Sequence, residues 1–185
     1  GTVVAVKILK YGHAHADLMH RRFRREARLL GELQSPYVVR LLAMGDESGI
    51  AYIATEYIDG QNLSQFVRAR GSLSVETSLR IISDVARALA DAHPLGIIHR
   101  DIKPENILLG GPATPPDQAF EFVKLADFGL AREIDQTNSM ALTRVQDFIG
   151  TPTYMAPEQW GRDPTASARA DVYSLGATLY FALTG

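Results

Sequence analysis

Apolar and polar positions alternate through "TVVAVKILK" (2–10), a β-branched stretch whose period of two predicts a strand. On such a strand Ala5 and Lys7 share one face, and Val4, Val6 and Ile8 share the other. The period then lengthens. "ADLMHRRFRREARLLGEL" (16–33) has helical spacing, with Phe23, Ala27 and Leu30 as its apolar stripe and Glu26 and Leu33 beside it. "YVVRLLAMG" and "AYIATEYI" predict two strands joined by the Gly/Asp turn in "GDESG". Residues 74–92 read as a helix, with Leu79, Ile82, Ala86 and Leu89 at spacings of three and four, Ser74 as N-cap and Glu76 in the first turn. "FEFVKLAD" predicts a short strand. The most apolar segment, "VYSLGATLYFALTG" (172–185), predicts a buried helix, being short of the roughly 18 apolar residues that span a bilayer. The Pro/Gly-rich "GGPATPPDQ" (110–118) and the polar residues 131–149 read as loops. Strands with one helix come first and helices follow. The expected class is therefore α+β, a small β-rich lobe (1–59) on a larger, mainly helical lobe (60–185), with the seam near Asp59–Gly60.

Composition narrows the function more than the fold. Of the 185 residues 46% are hydrophobic and 22% charged, and the formal net charge is −2, which gives no basis for a nucleic-acid or membrane-surface partner. The absence of cysteine excludes disulfides and thiolate metal sites. Gly1 stands where a start Met would, and both ends fall in apolar segments, which predicts a piece of a longer chain.

The densest chemistry lies in "IIHRDIKPENILL" (97–109), where apolar ends flank a turn carrying His99, Arg100, Asp101, Lys103, Glu105 and Asn106. Asp101 and Asn106 from this loop, with Asp127 from the end of a later strand, form the oxygen set that Mg²⁺ takes when it also holds phosphates. Lys7 supplies a positive point charge, and Glu26 is a residue to hold it. Phosphoryl transfer needs this set: neutralised phosphate oxygens, an oriented nucleophile and little covalent work by the protein. Taken singly, each residue has a plainer reading. Lys7 can be an edge-strand charge, Glu26 a solvated partner of Arg22, and Arg21, Arg22, Arg24, Arg25 and Arg28 a solvated helix face.

"VAVK", "HRDIKPEN", "DFG" and "APE" occur in the order of the protein-kinase signature set, and the chain resembles that family from residue 1 to 185. "GTPTYMAPEQ" and "DVYSLGATLYFALTG" are similar to the bacterial, eukaryotic-like (Hanks-type) serine/threonine kinases. The resemblance implies a bilobal kinase fold, truncated at both ends, and ATP-dependent phosphoryl transfer to Ser/Thr hydroxyls of proteins in signalling, of the non-specific serine/threonine kinase class. It implies that Lys7 contacts the α/β-phosphates and pairs with Glu26. Asp101 orients the acceptor hydroxyl and takes its proton, and Lys103 steadies the γ-phosphoryl. Asn106 and Asp127 hold Mg²⁺, with Mn²⁺ as a substitute, and Thr151 bonds the catalytic Asp and Lys. The hinge falls on "TEYI": Thr55 is the gatekeeper, the backbones of Glu56 and Ile58 bond the adenine edge, Ala5 and Leu108 sandwich its ring, and Asn62 is a ribose contact. Lys103 and Thr151 favour Ser/Thr over Tyr acceptors.

The same resemblance makes His99 a structural residue, stacked with Phe128 and completed by Leu30 and Leu41, and makes Asp171 the anchor of the catalytic loop. Arg22, Arg100 and Arg132 are expected to form a pocket for an anion on the activation loop. Thr143 is the preferred phosphorylation site over Thr137 and Ser139, and Asp147 stands where many relatives carry the principal phosphorylated Thr. A Gly-rich loop before residue 1 and helices after residue 185 are expected in the parent, and the piece alone is expected to be inactive. The domain is expected in the cytoplasm, in a parent open to membrane anchoring, with kinase-domain homodimerisation as a further family trait. Three rival readings are a pseudokinase acting as an ATP-binding scaffold, which the joint presence of Lys7, Asp101, Asn106 and Asp127 disfavours, a small-molecule kinase, which "GTPTYMAPE" disfavours, and a non-catalytic structural protein, which leaves the clustered polar residues unexplained.

Overall fold

Ala5 faces Thr55 and Lys7 faces Ile53 across an antiparallel ladder, so the first strand lies beside the third and not beside the second. The computed structural model describes residues 1–9, 28–47, 50–111, 120–128, 152–160 and 167–185. In it β1 (Val4–Leu9), β2 (Leu41–Glu47) and β3 (Ile50–Glu56) form one antiparallel sheet in the order β1-β3-β2. A second sheet of three short strands, β4 (Gly60–Asn62), β5 (Ile107–Gly110) and β6 (Phe122–Leu125), has β5 in its centre. Residues 28–32 are helical (α1), followed by α2 (Leu63–Arg70), α3 (Val75–Ala92) and α4 (Ala168–Thr184). The architecture is mixed α+β, a β-sheet lobe on a mainly helical one, as its sequence pattern predicts. Among the described residues no helix is long and apolar enough to cross a membrane.

The interior of the helical lobe is built from Leu63 and Phe66 of α2, Ile81 and Val85 of α3, Ile102 and Ile107 around the polar loop, and Leu125 of β6, each at most 2% exposed. Burying one such side chain is worth about 1.5–3 kcal/mol. Because α3 packs against both α4 and β6, the two sides of the later site rest on one helix.

Three expectations are corrected, and one helix is added. The strand expected from Tyr37 begins at Leu41. Residues 37–39 instead bond the other lobe, where Val39 N–H donates to the Leu125 carbonyl and Leu125 N–H to the Tyr37 carbonyl. The buried face of α3 is Ser78, Ile81, Val85, Ala88, Leu89 and Ala92, whereas Leu79 is 53% exposed and Ala86 is exposed too. Two apolar rows at helical spacing run along this helix, and the position of β6 and α4 selects one of them. Helix α4 buries Ala170, Asp171, Ser174, Leu175, Thr178 and Ala182 but exposes Val172, Tyr173 and Tyr180, since its described neighbours, α3 and the Pro152–Tyr154 turn, use the side that carries its polar groups. Finally, α2 went unread in the hydrophobic pattern. Its signature is a capping box: Gln65 N–H donates to Asn62 Oδ1 at 2.8 Å, and Asn62 N–H donates to Gln65 Oε1 at 3.0 Å.

Gly60 and Gly110 face each other where β4 meets β5, and a Cβ on Gly60 would lie 2.1 Å from the Leu109 carbonyl oxygen. Gly60→Ala is expected to destabilise the protein by roughly 1–3 kcal/mol in urea denaturation. Gly176→Ala, in α4 with nothing within 4 Å of the added carbon, is expected to stabilise it by about 0.5–1 kcal/mol.

Candidate active site

The polar loop 97–106 is held from beneath by one carboxylate. Asp171, 1% exposed on α4, accepts the backbone N–H of His99 on Oδ2 at 2.9 Å and that of Arg100 on Oδ1 at 2.8 Å. His93 Nε2 lies 2.9 Å from the same Oδ2. Two successive N–H groups can converge on one carboxylate because Arg100 takes φ 67°, a left-handed conformation that costs a non-glycine residue on the order of 1–3 kcal/mol. Ile102, Pro104 and Ile107 are buried on either side, so the charged groups between them stand on a rigid base.

His99, fully buried, links this loop to the "DFG" strand. Its Nε2 is 2.9 Å from the Ala126 carbonyl, which only accepts, so Nε2 carries the hydrogen. Its Nδ1 is then the acceptor for Asp101 N–H at 3.2 Å. Both bonds are made by a neutral ring. Burial holds the His99 pKa below its usual 6.5, against the opposing pull of the Ala126 carbonyl and of Asp171, Asp101 and Asp127. The ring also packs on Phe128, with centroids 4.6 Å apart, above a core that includes Leu30 and, at its edge, Leu41.

Above this base the expected groups come together. Lys103 Nζ lies 2.8 Å from Asp101 Oδ2. Asn106 Nδ2 donates to the Asp101 carbonyl at 2.7 Å and to Asp101 Oδ2 at 3.2 Å, while its own carbonyl accepts Ala126 N–H at 2.8 Å. With Nδ2 so engaged, the Asn106 amide is oriented and presents Oδ1 as an acceptor. Asp127, in the left-handed region at φ 58° and half exposed, meets Lys7 Nζ at 2.9 Å. Lys7, Asp101, Lys103, Asn106 and Asp127 therefore form one constellation spanning both sheets.

Beside it, Ala5 pairs with Thr55 on the first sheet, while Asn62, Leu108 and Lys124 form a cross-strand row on the second. The Asn62 oxygen is the N-cap acceptor of α2. Glu56 accepts from Arg40 N–H at 2.8 Å and from Lys124 Nζ at 2.5 Å. Burial alone would raise its pKa, but the Lys124 and Arg40 hydrogen bonds and the Lys124 charge outweigh it and hold the carboxyl below its usual value. Ile58 packs close to Gly110. Glu26, Arg22, Thr151, Arg132, Thr137, Ser139, Thr143 and Asp147 lie outside the described residues, so the Lys7–Glu26 pairing and the anion pocket have no described geometry. Reading along the chain missed His93 and Lys124. Only Lys124 left a trace, a cation between Val123 and Leu125 in an otherwise apolar strand.

The neutral His99 predicts an acid-sensitive fold. Below pH 6.5 the unfolded chain binds a proton that the folded His99 resists, so this contribution is intact above that pH and declines as pH falls toward the depressed folded value. In urea denaturation between pH 7.5 and 5, wild type should lose stability by up to about 1.4 kcal/mol per pH unit more than His99→Phe. Parallel pH profiles would refute a neutral buried ring.

Comparison with known proteins identifies the family. Residues 1–185 match the protein kinase domain family. The chain is 40% identical over 185 residues to serine/threonine-protein kinase pkn3 of Myxococcus xanthus, covering 99% of this chain and 33% of that protein. It is 36% identical over 182 residues to PrkC of Bacillus subtilis, covering 98% of this chain and 26% of that protein. Among solved structures, the Mycobacterium tuberculosis PknI kinase domain superposes with a TM-score of 0.73 at 30% identity, covering 97% of this chain and 61% of the other. Rad53 residues 1–466 in complex with AMP-PNP gives 0.74 at 30% identity, with 99% and 41% covered. The chain thus spans about a third or less of the length of these bacterial serine/threonine kinases, and it belongs to the protein kinase domain family.

Proposed function

We propose that the protein transfers the γ-phosphoryl group of Mg²⁺-ATP to Ser/Thr hydroxyls of protein substrates in a bacterial signalling pathway. The observation that carries this reading is the constellation itself: Lys7 on Asp127 at 2.9 Å, and Asp101 held by Lys103 and Asn106, with His99 bridging the two groups. Among the described residues no three His, Cys, Asp or Glu side chains gather into a protein cage for a metal. A carboxylate with an oriented amide oxygen fits Mg²⁺, which keeps waters and phosphate oxygens as its other ligands. Asn106 and Asp127 would hold it, and when bound it would neutralise charge on the phosphates.

The residues of the chain do the rest. Lys7 aligns the α/β-phosphates. The acceptor hydroxyl is received by Asp101, whose carboxylate Lys103 holds at 2.8 Å. As its oxygen bonds to the γ-phosphorus, the bond to the β–γ bridging oxygen breaks, ADP departs and the hydroxyl proton passes to the Asp101 carboxylate. Lys103 balances charge on the transferring group. Most of the rate comes from charges fixed before the reaction begins. Lys103 two residues beyond Asp101 supports an aliphatic acceptor. Thr143, with Arg22, Arg100 and Arg132 as anion partners and Asp147 as a weaker built-in charge, is the proposed control point.

In the full-length protein Asp101→Asn should lower turnover of γ-³²P transfer to a Ser/Thr protein by at least about 10²-fold with its melting temperature preserved. Unchanged turnover would overturn the role of Asp101. Phosphate mapping after incubation with ATP should place at least one site within residues 131–150; a loop without phosphate in active protein would remove the control-point reading.

A further inference from the structure

The proposed adenine contacts come from both sheets and the segment between them: Ala5, Thr55 and Glu56 on the first sheet, Ile58 just beyond its end and Leu108 on the second. A closed circuit of bonds joins the two sheets next to these residues. Glu56 N–H donates to the Arg40 carbonyl at 3.0 Å, and Arg40 N–H donates back to the Glu56 carboxylate at 2.8 Å. One residue earlier, Val39 N–H donates to the Leu125 carbonyl at 2.9 Å, and Leu125 N–H donates to the Tyr37 carbonyl at 2.8 Å. From Leu125 the chain steps to Lys124, whose Nζ returns to Glu56 and completes the circuit. Lys124 is directly opposite Leu108 in the β5–β6 register, so its stem and the Leu108 side chain stand on the same face.

The two carriers of the Lys124–Glu56 pair are 17% and 24% exposed. At that depth water screens the pair less than on an open surface, and both stems are too confined to sample many partners. Val123 and Leu125 on either side are only 2% and 0% exposed, so moving the strand would disturb the core.

We infer that Lys124 is a positioning residue for nucleotide: by fastening the side chain of Glu56 it sets the gap between the hinge backbone and Leu108, and hence the affinity for the adenine ring. Lys124 bonds Glu56 and is not among the residues proposed to hold the phosphates or the acceptor. Its loss acts on binding and leaves the chemical step as it is. This inference rests on the nucleotide reading proposed above.

The test uses full-length wild type, Lys124→Met, Lys124→Arg and Glu56→Gln, with calorimetric titration of ATP, ADP and adenosine and steady-state kinetics in ATP. Lys124→Met keeps the stem and removes the charge. It should raise KM for ATP and the three dissociation constants by a common factor of roughly 3–10, with kcat within about twofold of wild type. Lys124→Arg should restore affinity to within about twofold. Glu56→Gln should weaken binding as Lys124→Met does, and the double variant should be no weaker than either single one, as residues acting through one bond require. Should Lys124→Met not fold, Glu56→Gln carries the same comparison. Unchanged dissociation constants in the variants, or weakening confined to ATP with adenosine unaffected, would overturn the positioning role. A wild type that binds none of the three ligands would overturn the nucleotide reading itself.

Discussion

The Asp171 carboxylate, buried on α4, takes the N–H groups of His99 and Arg100 and faces the His93 ring, and from this single anion the order of the polar loop 97–106 follows. A buried carboxylate without partners would cost several kcal/mol, so the loop and the helix constrain each other. The anion needs N–H donors that a helix interior cannot supply. The loop needs an acceptor because its backbone leaves regular structure between Gly96 and Pro104. That mutual requirement lets Arg100 remain in a left-handed conformation, and the turn it produces leads directly into Asp101.

His99 carries the order onward. Its neutral ring has one donor and one acceptor, and each is matched by a group that can answer in only one sense, the Ala126 carbonyl and the Asp101 N–H. Asp101 and Asp127 are thereby registered through a rigid five-membered ring instead of through flexible side chains. Beneath it, Phe128 fills apolar space and turns Asp127 outward, where Lys7 from the other sheet reaches it. The site is thus assembled from buried polar bonds whose partners lie far apart in sequence, and its exposed charges inherit their positions from those bonds.

The two sheets meet at residues 37–40, Glu56 and β6. An edge of β6 that would otherwise present open backbone groups is closed by Tyr37 and Val39, which explains why an apolar stretch with every mark of a strand does not join the first sheet until Leu41. The same seam carries the Glu56–Lys124 pair. The join between the two sheets depends on a few directional bonds backed by Val38 and Leu125, both buried.

Local chemistry in the chain was enough to mark β1, the N-cap at Ser74, the span of α3 and the clustering of Asp101, Lys103 and Asn106 on one turn, because periodicity, capping and turn-breaking act within a few residues; Asp127 was joined to them through the motif order that resembles the protein kinases. It marked α2 as well, through the Asn62/Gln65 box that hydrophobic spacing passed over. It did not choose between the two apolar rows of α3, nor reveal that α4 turns Asp171, Ser174 and Thr178 inward. Each of those outcomes depends on which neighbour arrives to cover a face. His93 against Asp171, Lys124 against Glu56 and Lys7 against Asp127 are pairs separated by 78, 68 and 120 positions. No local pattern encodes which distant charge a side chain will meet, so these partnerships belong to the tertiary structure, where burial strengthens them and packing allows only one geometry.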